Sequence, residues 1–249
     1  MAKAEGIFNI EGTVDNLTFF KKDGKNFVRR KGGVSKQRIE TDPNFVRTRE
    51  NMSEFKQSAT SGKLLRLALG SLVFRAKDSK LSSRLLQTMS QIKNLDATSA
   101  RGQRTVALGL ATAAGKVNLT GFDFNANAPL NSVLFAPYEL DVPTGKVTIT
   151  DFIGVEQLQY PEGATHVSFQ AAVLAIDFDS SFSEVAYSNT ENIAISLTPI
   201  TFVLTPTAVP GGGAVTLFLL SISFFQEVNG VQYSLKNEEY SVLNILEIV

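Results

Sequence analysis

The chain has 249 residues, 43% of them hydrophobic and 19% charged, which supplies core for one large domain or two modest ones and excludes a chain disordered throughout. It has no cysteine and one histidine, His166, which excludes disulfide scaffolds, thiolate metal centres and paired-histidine metal sites. The formal net charge of zero hides a division: 22 Lys and Arg stand against 10 Asp and Glu in residues 1–120, and 2 against 14 in residues 121–249, leaving +12 and −12.

The opening MAKAEGIFNIEG lacks the apolar core of a signal peptide and carries Glu5 and Glu11, so cytoplasmic synthesis is expected, with the final location left open. Residues 6–30 read as a hairpin. Ile7 or Phe8, Ile10 and Val14 are its apolar positions, LTFF follows, and Asp23-Gly24 marks a tight turn. That turn would crowd Lys21, Lys22 and Lys25 at one tip and leave Arg29, Arg30 and Lys31 at the far end of the return strand. Residues 34–42 read as a connector. Asp42-Pro43 then has the form of a helix start, with Asp as N-cap and Pro in the first turn.

Helical spacing follows. Phe45, Val46, Met52, Phe55 and Ala59 form one apolar stripe, and Leu64, Leu65, Ala68, Leu69, Leu72 and Val73 form another. A second helix is expected over residues 81–92, burying Leu81, Leu85, Leu86, Met89 and Ile92. Lys56, Lys63, Arg66, Lys80, Arg84 and Lys93 are expected outward. Residues 101–114 are alanine-rich and fit a short helix or an extended segment.

From about residue 115 the pattern changes to strands. GKVNLTGFDFNANAPL alternates in its first part, and GKVTITDFIGVEQLQY, SFQAAVLAIDF, NIAISLTPITFVLTP, GGAVTLFLLSISFFQEV, VQYSLKN and EYSVLNILEIV read as strands, with Pro, Gly, Asn and acidic residues between them. Asn229-Gly230 is a second two-residue turn. Residues 215–225 are apolar on both faces, as a central or covered strand requires. The expected fold class is α+β. A basic hairpin-plus-helical domain occupies residues 1–120, and an acidic, antiparallel, immunoglobulin-like β-sandwich occupies residues 121–249, with the boundary inside 115–145. The apolar stretch at 211–225 is too short to span a bilayer as a helix, so no membrane span is expected.

Catalytic patterns are sparse. His166 sits alone at a loop-to-strand passage. Asp177 and Asp179 share a strand face but lack the spacing of a calcium loop, as do Phe122, Asp123, Phe124 and Asn125. Gly211–Gly213 lacks the Lys-Ser or Lys-Thr of a phosphate loop. An enzyme, a metal and a cofactor are therefore not expected.

The basic half carries more signal. Residues 19–38 hold eight long cations, Lys21, Lys22, Lys25, Arg29, Arg30, Lys31, Lys36 and Arg38, and Arg47 and Arg49 extend them. Phe19, Phe20, Phe27 and Phe45 interleave. Such a field suits a polyanion, nucleic acid included, or the acidic surface of a partner. The closing strand supplies Ile245, Leu246, Ile248 and Val249, an apolar edge able to add to a neighbour's sheet.

Gly12, Val14, Leu17 and Phe19, followed by Gly24, Lys25, Phe27 and Arg29, form a G-x-[IV]-x-x-L-x-[FY] run and a G-K-x-[FY]-x-R segment. Residues 6–58 thereby resemble the opening of uncharacterised Bacteroidota proteins, a resemblance that implies no activity and no site residue.

The reading favoured by these features is a non-enzymatic structural subunit that associates head to tail as a homo-oligomer or polymer, forming a tube, filament or shell. The first alternative is nucleic-acid binding or coating by the basic face. The second is a β-sandwich ligand-binding module, although a small-molecule ligand is not expected from a chain with no Trp and only 5 Tyr.

Overall fold

A computed structural model of the chain describes residues 2–3, 10–235 and 240–249. The expectations for Ile7, Phe8 and residues 236–237 lie outside the described residues. The chain divides into two compact units, Met1–Arg49 and Glu50–Val249.

In the first unit, strands β1 (Ala2–Lys3), β2 (Gly12–Val14), β3 (Leu17–Lys22) and β4 (Lys25–Arg30) form an antiparallel sheet ordered β1-β4-β3-β2. Asp23 and Gly24 both take positive φ, 50° and 74°, the backbone that matches a tight turn to the strand twist. A second tight turn at Asp15-Asn16, with Asp15 at φ 51°, pairs Val14 with Leu17 and makes the expected hairpin a meander. The expected connector contains a helix, α1 (Lys36–Thr41), whose N-cap Ser35 accepts a hydrogen bond from the Arg38 N–H. Asp42 does cap the next turn: its side chain accepts from the Asn44 N–H over a 3-10 turn, Pro43–Phe45, that leads into α2 (Val46–Ala76).

The second unit continues with helices α3 (Leu81–Lys93), α4 (Val106–Leu110), α5 (Ala113–Leu119) and α6 (Leu130–Val133). It then adds β5 (Glu139–Asp141), β6 (Lys146–Phe152), α7 (Gly154–Gln157), β7 (His166–Asp177), β8 (Phe182–Ala194) and β9 (Ile200–Leu204). β10 (Val215–Val228), β11 (Val231–Ser234) and β12 (Val242–Ile248) complete it. The fold is a mixed α+β one, with strands and helices first and a curled antiparallel sheet after them. The larger sheet runs β11-β10-β7-β8, with β12 beside the first half of β10; the smaller runs β5-β6-β9. A bridge from Ser188 to Pro206 joins β8 to the chain just after β9.

β7 and β10 are apolar on both faces because both faces are covered. One face, with Leu174 and Leu217 paired, packs on Leu65, Leu69 and Leu72 of α2 and Leu85 and Met89 of α3. The other, with Phe169 paired to Ile222, packs on Val147 and Ile149 of β6 and Phe202 and Leu204 of β9. Asn229-Gly230 turns β10 into β11, as expected.

Five expectations are corrected. Residues 154–157, expected as strand, form the single helical turn α7, in which the Gln157 N–H donates to the Ile153 carbonyl. Met52 and Phe55 are exposed, because the inward face of early α2 is Glu54, Ser58, Ser61 and Gly62. Lys93 is buried and Arg84 partly buried, each held by a carboxylate. Residues 116–119, expected as strand, close helix α5, whose N-cap Thr112 accepts from the Gly115 N–H. Asp179 lies in a turn, where its N–H donates to Asp177, so the two carboxylates do not share a strand face.

Candidate functional site

The basic sheet of the first unit presents two different faces. Directly paired residues share a face, so Leu17, Phe19, Lys21, Asn26, Val28 and Arg30 lie on one and Thr18, Phe20, Lys22, Lys25, Phe27 and Arg29 on the other. Phe20 and Phe27 stack with centroids 5.8 Å apart, and the Arg29 guanidinium stands 5.3 Å from the Phe20 centroid. None of residues 10–49 is buried; Phe19, Phe20, Phe27 and Val28 are only half-covered. Apolar side chains thus occupy both faces of a sheet in which, among the described residues of its unit, none is buried.

Six of the ten expected contact residues form two groups. Lys21, Lys22 and Lys25 surround the Asp23-Gly24 turn, and Arg29, Arg30 and Lys31 lie about 17 Å away at the other end of β4. All six are exposed, and among the described residues none of them has a carboxylate within ion-pair distance. The others belong largely to local structure. Lys36 pairs with Glu40 at 3.6 Å, Arg38 pairs with Asp42 at 3.1 Å, and Arg49 donates to the carbonyls of Ile39 and Asp42. Arg47 is exposed at the start of α2.

The expected self-association strand is paired within its own chain. Ile245 and Ile248 are buried, Leu246 is half-buried and Val249 is exposed. β12 pairs with β10 on one side. On the other, the N–H groups of Gly121 and Phe124 donate to the carbonyls of Ile245 and Leu243, and the Ile245 N–H donates to Phe122. A strand added at Ile245 would have to displace residues 121–124, and the N–H and carbonyl of Val249 are both paired with Thr216, which leaves only its side chain exposed.

Sequence reading missed a buried charge cluster. Glu54, 3% exposed, accepts from Lys93, from the Gly102 N–H at 2.8 Å, and from Arg104 through Nε and Nη2 at 2.8 and 2.9 Å. The Arg104 guanidinium holds the Glu54 carboxyl at about 2; burial opposes this, and Lys93 and the Gly102 N–H add to it. Beside it, burial pushes Asp96 up, but hydrogen bonds from Ser99, Thr98 and the Thr105 N–H outweigh burial and lower it. No short motif announces this cluster, because its members come from α2, α3 and the loop before α4.

His166 places Nδ1 2.9 Å from the Thr165 hydroxyl and Nε2 3.6 Å from Glu227. Asp177 accepts from the Asp179 N–H and the Ser180 hydroxyl, which close the β7–β8 turn. Among the described residues no three His, Asp or Glu side chains are placed to hold a metal ion, and no helix is long and apolar enough to cross a membrane. No protein-family model, no curated protein and no solved structure matches the chain.

Proposed function

We propose that the protein is a non-enzymatic structural subunit that associates head to tail with copies of itself. The observation that carries this reading is the first unit's sheet, which has apolar side chains on both faces and, among the described residues, no buried one. A sheet of this size gains little from folding uncovered. Covering either face would remove Phe, Leu and Val surface from water at roughly 25 cal/mol per Å². The cover of matching charge is the acidic part of a second copy, since residues 121–249 hold 14 of the 24 carboxylates and 2 of the 24 cations. A basic patch meeting a different, acidic patch is a heterologous contact, which propagates into a ring, tube, filament or shell. Within this reading the acidic half is a sandwich-like, immunoglobulin-like platform, the smaller sheet serving as its second layer.

Light scattering of the full chain over a concentration series tests this. A mass that climbs above 27.0 kDa with concentration, and falls when Arg29 or Arg30 is replaced by Glu, supports it. A 27.0 kDa species at every concentration contradicts it. The six hairpin cations, which meet no carboxylate among the described residues, favour one second reading, a nucleic-acid coat. That reading requires binding to single- or double-stranded oligonucleotides which weakens steeply between about 50 and 200 mM salt.

A further inference from the structure

Helix α2 is interrupted at Gly70, which takes φ +38° and ψ −100°, before the helix resumes toward Ala76. A cavity of about 560 Å³ opens beside this kink, between α2 and the start of α3. Its apolar wall includes Leu67 and Phe74, which are 66% and 73% exposed. Its rim carries Lys63, Arg66 and Lys77, and Lys77 Nζ stands 5.2 Å from the Phe74 centroid. Among the described residues none of these three cations pairs with a carboxylate. The wall's own acid, Asp78, is engaged by Arg84 and by the N–H groups of Lys80 and Ala126. The groove is therefore apolar at its centre and cationic at its edge, which calls for an apolar knob flanked by acids.

The chain carries such a knob at the β7–β8 turn. Phe182 is 38% exposed and lies between Asp179 and Glu184, both exposed. Phe182 and Glu184 point to the same side of β8. The turn is pre-shaped, because Asp177 accepts from the Asp179 N–H and the Ser180 hydroxyl, so little order is lost on docking. The knob does not fill the groove of its own copy. Among the described residues, none of Asp179, Phe182 and Glu184 lines it.

We propose that the Gly70 groove receives the β7–β8 turn of a second copy. Phe182 enters between Leu67 and Phe74, and Asp179 and Glu184 meet Lys63, Arg66 and Lys77. The inference rests on the self-association proposed above and names one of its contacts. Because groove and knob are different surfaces, the contact is again heterologous and continues from copy to copy.

The test is sedimentation of the full-length protein as a concentration series, with melting followed by circular dichroism. Lys63→Glu with Lys77→Glu should raise the concentration needed for association about tenfold or more with unchanged melting, as both side chains are exposed; Phe182→Ala should raise it similarly with a small drop in melting, as part of its ring lies beside Gly212 of its own chain. Adding Asp179→Lys and Glu184→Lys to the Lys63→Glu, Lys77→Glu chain should restore association to within about threefold of the parent. If the parent associates and the Lys63, Lys77 variant associates equally well, the groove contact is overturned and the broader reading stands. Loss of association without rescue by the charge swap also overturns this pairing. A parent chain that is monomeric throughout overturns both.

Discussion

Glu54 joins Lys93 and Arg104 in a place where each group depends on the others. Replacing Glu54 by Ala would leave a buried Lys93 and a three-quarters-buried Arg104 without their carboxylate, a change that costs about 3–5 kcal/mol. A urea denaturation midpoint reads it directly; a loss under 1 kcal/mol would contradict the assignment. The same group makes stability depend on pH. Its folded value, about 2, lies below the usual 4.5, so its contribution is complete above about pH 4.5 and is lost as pH falls toward 2. The contribution is roughly 3 kcal/mol and should vanish from the acid limb of the profile in the Glu54→Gln chain. On the basic sheet, Arg29 shares its face with the Phe20–Phe27 stack and Arg30 shares its face with Phe19 and Val28. If one face docks, Arg29→Glu and Arg30→Glu should weaken association unequally, by about 1 kcal/mol or more for the docked face. Equal, null effects would remove this sheet from the interface.

At the scale of elements, α4 lies so close to the end of α3 that Gly109 has no room for a side chain. A Cβ there would stand 2.1 Å from the Ile92 carbonyl oxygen. Gly109→Ala should cost about 1–3 kcal/mol, whereas Gly211→Ala, where a Cβ meets nothing within 4 Å, should leave the melting curve unchanged. Elements announced by local chemistry were legible in the sequence: Asp23-Gly24, Asn229-Gly230, the Asp42 cap, the buried stripe of α3 and the doubly apolar β10. Early α2 was misread because its apolar stripe faces outward. Its inward face uses small residues, and Gly62 would place a Cβ only 3.5 Å from Leu85, close helix packing that hydrophobic periodicity does not record. The first half of β8 was missed because it is half-exposed and polar in sequence. The basic residues of the candidate site were legible as a charge run. Their separation into two clusters on two faces depends on strand register, and the Gly70 groove on a backbone angle, neither of which composition carries.

For the whole molecule, the charge division has a local and a long-range part. In the helical segment of the second unit, ion pairs such as Lys93–Glu54, Arg104–Glu54, Arg84–Asp78 and Arg101–Glu50 hold acids and bases of residues 50–104 together. In the proposed self-association, the hairpin cations and the acids of residues 121–249 are what orients molecules toward one another. Raising salt should therefore slow assembly while leaving formed polymer largely intact, because apolar burial and not charge supplies most of the affinity. The central claim is that copies of this chain build a regular protein polymer. Electron microscopy of the purified full-length protein at physiological salt, with the 260 and 280 nm absorbance read on the same sample, tests it most directly. The account predicts regular rings, tubes or filaments with a protein-like absorbance ratio. Monodisperse particles the size of one chain would contradict it, and polymers found only with a nucleic-acid-like ratio would assign the basic sheet to nucleic acid.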